Sequence, residues 1–129
     1  MGRHFNDCSS QVIDSCIKVH SLLGPGLIES AYEICLAYEL RQRGAHVIRQ
    51  LPVAIRYGGV QIDAGFRIDL LVNRAFVVEL KAVSKLLPVH EAQLLSYLKL
   101  GGFRVGLLVN FHVLRLKDGI RRFVNGFDD

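Results

Sequence analysis

The chain has 129 residues, half of them hydrophobic and 22% charged, which suits one soluble domain spanning residues 1–129 with a real core. No apolar run approaches the roughly 20 residues a membrane-spanning helix needs, and three cysteines without paired spacing argue against a disulfide framework or a zinc knuckle. A net charge of +4 and a pI near 9.2 are compatible with a polyanionic partner without requiring one.

The opening MGRHFNDCSS lacks the apolar stretch of a signal peptide, and Asn6 departs from a myristoylation signal, so a cytoplasmic location is expected. Residues 8–22 place Val12, Cys16, Val19, Leu22 and Leu23 at helical spacing until LGPG breaks the run. A second helix is expected from about Leu27 to Arg43, with Gly44 as its terminator. HVIRQLPVAIRY and VQIDAGFRIDLLV read as strands joined by the turn Tyr57-Gly58-Gly59-Val60, and AFVVELKAV as a third. Pro88 suits the first turn of the helix PVHEAQLLSYLKL, which stops at Gly101-Gly102. FRVGLLVNF reads as a buried strand, and VLRLKDGIRRFV as a final hairpin around Asp118-Gly119. The order is α-α-β-β-β-α-β with a terminal β addition, an α/β fold with a mixed sheet flanked by helices.

The segment FRIDLLVNRAFVVELKAV carries charge inside its apolar strands. A period of two puts Phe66, Ile68, Leu70 and Val72 on one face and Arg67, Asp69 and Leu71 on the other. In the next strand Phe76, Val78, Leu80 and Ala82 oppose Val77, Glu79 and Lys81. A three-residue loop, Asn73-Arg74-Ala75, would set Asp69 across from Glu79, whereas a two-residue turn would split them unless a bulge intervened. Directly opposed carboxylates need compensation, from Lys81 or from a divalent cation such as Mg²⁺ with its oxygen ligands. The plainer alternative pairs Asp69 with Arg67 or Lys81 at a wet sheet edge.

Four motifs in order sharpen the choice: Gly26-x-x-Glu29-x-x-Tyr32, Asp69, Glu79-Leu80-Lys81, and Gln93-Leu94-Leu95-Ser96-Tyr97. Together they resemble the GxxExxY family within the PD-(D/E)xK nuclease superfamily, over roughly residues 16 to 125. The resemblance implies a restriction-endonuclease-like αβββαβ core, to which the residues themselves add an extra N-terminal helix and a C-terminal β hairpin. It implies Asp69 and Glu79 as metal ligands, with the Leu80 carbonyl as a third. Lys81 would orient the attacking water, Glu29 would complete the metal or water shell, and Gln93 and Tyr97, one helical turn apart, would contact water, Lys81 or phosphate. Ile68 stands where the superfamily often has proline. The implied activity is Mg²⁺-dependent phosphodiester hydrolysis in DNA or RNA, with Mn²⁺ able to substitute.

Competing readings remain for single residues. Glu29 could be solvated surface, Tyr32 core, Gly26 a simple helix-start breaker, and His90 surface. The basic groups Arg41, Arg43 and Arg49, and Arg115, Lys117, Arg121 and Arg122, fit either a solvated face or phosphate contacts. At the level of the whole chain, the alternative is a non-catalytic nucleic-acid- or protein-binding module that keeps the nuclease fold. No aromatic-basic stacking platform is evident, and a homodimer could build the groove that so short a chain has little room for.

Overall fold

The computed structural model describes residues 2–126, with side chains from Cys8 onward. Helix α1 spans Gly2–Leu23 and α2 spans Glu29–Gln42. Strands β1 (Val47–Tyr57), β2 (Val60–Val72) and β3 (Phe76–Lys81) follow, then helix α3 (Pro88–Gly101), strand β4 (Val105–Asn110), a 3₁₀ turn (Leu116–Gly119) and strand β5 (Ile120–Val124). The sheet has five strands in the order β1-β2-β3-β4-β5. Only β3 and β4 run parallel, joined through α3 as a parallel pair requires; the other neighbours are antiparallel. The expected αβββαβ core is therefore α2 to β4, with α1 and β5 added at its ends.

Each helix starts or stops where its sequence dictates. Pro88 opens α3, the His90 ring accepts a hydrogen bond from the Leu87 N–H at 3.0 Å, and Gly102 closes the helix in the left-handed region at φ 75°. His90 is thus half-buried cap rather than plain surface. In the first turn of α2, Tyr32 is fully buried and stacked on Phe111 with centroids 4.4 Å apart. Its hydroxyl donates to the Gly24 carbonyl at 2.6 Å and accepts from the Leu27 N–H at 3.1 Å. One phenol thereby fixes the turn that aims the start of α2, and Tyr32 serves as core, as one of the two sequence readings had it. Gly26, at φ 102°, makes that turn possible.

The core has two layers, one on each sheet face. Val12, Cys16, Tyr32, Leu36 and Leu40 of α1 and α2 pack on Leu70, Val72, Val78, Leu80 and Leu107. Leu94 and Leu98 of α3 pack on Ile68, Leu71, Val77 and Leu108. This division departs from strict alternation in β2: Phe66 and Ile68 face α3, while Leu70 and Val72 face α1 and α2. The strand changes face at Asp69. Its neighbour β1 does the same, and Gln50, at φ 53°, absorbs the change.

The C-terminal hairpin expected at residues 113–124 does not form. Residues 112–115 are bends that lead into the 3₁₀ turn, and β5 pairs directly with β4, Val105 opposite Val124. Val113, Leu116 and Ile120 all pack on the α1–α2 core layer, so the apolar residues recur every three or four positions rather than every two. Gly119 sits against the Asn110 carbonyl, where a Cβ would come within 2.4 Å; it serves a close approach, not a hairpin tip.

Replacing Tyr32 with Phe keeps the ring stack and removes both hydroxyl bonds. We expect this variant to lose about 1–2 kcal/mol in urea unfolding. An unchanged stability would mean that the 24–27 turn holds without the phenol.

Candidate active site

The loop between β2 and β3 sets the site's register. Asn73 and Arg74 are both left-handed, at φ 52° and 60°, and the Ala75 N–H donates to the Val72 carbonyl at 3.1 Å. The turn proper thus has two central residues, and Ala75 is the extra one that makes the loop odd, so that Val72 pairs with Phe76. Both expected alternatives contribute: a short turn and a bulge.

Paired residues run from Val72 and Phe76 to Leu70 and Val78, and there the ladder stops. One step further, the two carboxylates replace it. Glu79 Oε1 accepts from the Asp69 N–H at 3.0 Å, and Asp69 Oδ2 accepts from the Leu80 N–H at 2.9 Å. Each acid holds the other strand's backbone. In an extended strand a residue's N–H and C=O point the same way, so the Leu80 carbonyl is turned toward Asp69 too.

Side chains from both helical layers converge here. Lys81 Nζ donates to Gln93 Oε1 of α3 at 3.2 Å. Tyr97, one turn on, stacks on Phe66 with centroids 4.3 Å apart. From α2, half-buried Glu29 meets the Ala82 N–H and feels the charges of Asp69 and Lys81. The structure thus brings together Glu29, Asp69, Glu79, Lys81, Gln93 and Tyr97.

Two participants escaped sequence reading. Glu33, only 4% exposed, accepts from Arg49 Nε at 3.0 Å and Gln50 Nε2 at 2.7 Å. Gln50 Nε2 also reaches Asp69 Oδ1 at 3.3 Å, so one strained residue links Glu33 to the carboxylate pair. The only sequence signal was Glu33's place four residues after Glu29, on the same helical face. Part of the basic surface is also engaged within the fold: Arg49 with Glu33, Arg41 with the Val47 carbonyl at 2.9 Å, and Arg122 with Ser9 Oγ at 3.1 Å.

The electrostatics follow from burial. Glu79, 4% exposed, is pushed up to about 8 by desolvation and then by the Asp69 charge, against the pull of the Asp69 N–H and Lys81. Asp69 is raised by desolvation, against the Leu80 N–H, Gln50 and Lys81. Glu29 is raised by burial and then by Asp69; the Tyr97 phenol is raised by burial and then by Glu79 and Asp69. Among the described residues no three His, Cys, Asp or Glu side chains already stand as a metal cage. The donor chemistry nevertheless suits a hard divalent cation: oxygen ligands only, and three carboxylates against one ammonium once ionised.

A family model described as the PD-(D/E)XK nuclease superfamily matches residues 6–123. Searches of curated proteins and of solved structures return no match.

Folding holds the Glu79 proton from the carboxylate's ordinary value of 4.5 up to about 8, so between these limits the folded state binds more protons than the unfolded one. Its contribution to stability therefore falls as pH rises through that window. In metal-free protein, melting curves from pH 5 to 8.5 should show wild type losing ground to Glu79→Gln, which should melt several degrees higher at pH 8. Parallel curves for the two proteins would contradict this account.

Proposed function

The chain belongs to the PD-(D/E)XK nuclease superfamily, and from that premise we propose that it is a metal-dependent nuclease acting on DNA or RNA, with Asp69, Glu79 and the Leu80 carbonyl as the cation's ligands. The observation that carries this reading is the part-buried pairing in which Glu79 accepts from the Asp69 N–H and Asp69 from the Leu80 N–H. A buried Glu79 and a half-buried Asp69 beside one lysine are a standing cost to the fold, and a bound cation would offset it. Within the superfamily, the run Gly26, Glu29, Tyr32 supports the GxxExxY branch. Mg²⁺ is the expected ion, with Mn²⁺ able to substitute.

Bound there, such a cation supplies a nucleophile near neutral pH and neutralises charge on the phosphate. The chain's own groups do the rest. Lys81, steadied by Gln93, orients the attacking water and opposes the negative charge that grows on the phosphoryl oxygens. Glu29 adds a further oxygen ligand for water or cation. Tyr97 offers its phenol to a phosphate, with its ring fixed against Phe66. Exposed Arg115 and Lys117 are available for backbone phosphates. No helix among the described residues is long and apolar enough to cross a membrane.

The test pairs calorimetric titration of Mg²⁺ and Mn²⁺ with incubation on labelled single- and double-stranded DNA and RNA. We expect metal binding in wild type and its loss in Asp69→Ala and Glu79→Ala. Cleavage should fall in both, and by about 10²–10³-fold in Lys81→Ala with metal binding retained. Wild type that binds nucleic acid and leaves it uncut with either metal would instead be a binding module on this fold.

A further inference from the structure

The Asp69 carboxylate is held at both of its oxygens. The Leu80 N–H reaches Oδ2 at 2.9 Å, and Gln50 Nε2 of β1 reaches Oδ1 at 3.3 Å. An acid held by one oxygen alone can still turn about its Cβ–Cγ bond, because a torsion between sp³ and sp² carbons is broad. Bonds to both oxygens fix its plane. Gln50 stands across from Asp69 in the ladder, since Arg49 pairs with Leu70 and Leu51 with Ile68. The amide is itself held: its nitrogen also donates to Glu33 Oε1 at 2.7 Å, and Glu33 Oε2 accepts from Arg49 Nε at 3.0 Å. An amide nitrogen carries two hydrogens, and here each goes to a different acid. Glu33 is buried, so these bonds are anchored in the interior although Gln50 lies at the surface. The backbone adds a second sign. At φ 53° the position favours glycine, yet it carries a side chain that spans Glu33 and Asp69. A residue that served only the turn of the backbone would be better as glycine.

We propose that Gln50 is a positioning residue for the divalent cation, acting through Asp69. It fixes the plane of the Asp69 carboxylate before the cation arrives, and Glu33 and Arg49 fix Gln50 in turn. Ordering a ligand in advance removes a cost that binding would otherwise bear, and the hydrogen-bond partners of a ligating carboxylate act in this way. An oxygen that accepts one hydrogen bond keeps a lone pair for a metal, so the Gln50 bond and a cation do not compete. The inference rests on the metal-site reading of Asp69 and Glu79, and adds to it a residue that touches neither cation nor substrate.

Calorimetric titration of Mn²⁺ into the full chain tests this with two variants. Gln50→Gly removes the amide and suits the left-handed backbone; Gln50→Met keeps the side-chain length and removes only the donors. The position is exposed, so both should fold, with circular dichroism spectra that match wild type; should one fail, the other decides. Each should bind Mn²⁺ about tenfold more weakly than wild type. Cleavage of labelled nucleic acid at saturating Mn²⁺ should keep the wild-type rate, so that the loss lies in metal affinity and not in turnover. Wild-type affinity in either folded variant would overturn the proposal while leaving the metal site intact, because the amide would then be dispensable. A fall in turnover that saturating Mn²⁺ does not restore would overturn it equally. A wild type that takes up no Mn²⁺ would overturn the metal-site reading itself, and this proposal with it.

Discussion

Everything in the site depends on one substitution of partners: where strands β2 and β3 cease to pair, carboxylates take over the backbone donors. The Asp69 N–H goes to Glu79 and the Leu80 N–H to Asp69. A sheet can open in its middle only if the freed groups find acceptors, and here the acceptors are the two carboxylates of the candidate site. The acids are held in position by the same bonds that end the ladder. Their geometry is therefore as rigid as the sheet, and the penalty for burying them is shared with backbone groups that would otherwise lack partners.

The opening propagates outward. Because β2 changes face at Asp69, Leu70 and Val72 serve the α1–α2 layer while Phe66 and Ile68 serve α3. Strand β1 must follow, and Gln50 does so in a conformation that only glycine adopts freely. Its side chain then bridges Glu33 and Asp69. A local strain, a buried acid on α2 and the carboxylate pair thus belong to one arrangement. Neither helical layer alone could build it: α2 brings Glu29 and Glu33, α3 brings Gln93 and Tyr97, and the gap between the strands is where they meet.

Much of this was legible in the residues. The order of elements, the caps at Pro88 and Gly102, and the candidates Asp69, Glu79 and Lys81 follow from local signals with a physical basis, while Gln93 and Tyr97 came from the family resemblance. The loop's parity was legible as a condition: three residues would align the acids. What stayed hidden was whatever breaks a period. Alternation cannot announce the place where it fails, so the face change at Asp69 and the left-handed Gln50 carried no mark. Nor could alternation distinguish Val113-x-x-Leu116-x-x-x-Ile120 from a strand, since both patterns tolerate the intervening leucine, Leu114, which the fold leaves 90% exposed. Long-range partners such as Glu33 and Arg49 were invisible for the simpler reason that 16 positions separate them.

Helix α2 shows the same limit from another side. Its periodicity identified a helix but could not apportion its surface, because that surface serves three purposes. Tyr32, Leu36 and Leu40 face the core, Glu29 and Glu33 face the carboxylates, and Ile34 and Tyr38 face outward. An ordinary amphipathic helix needs only two faces, one apolar and one solvated. A third requirement consumes the solvated face, and no clear polar stripe is left. The blurred pattern of α2 is thus what a helix looks like when it must support a sheet, supply acids to the carboxylate cluster and still leave Ile34 and Tyr38 on its outer side.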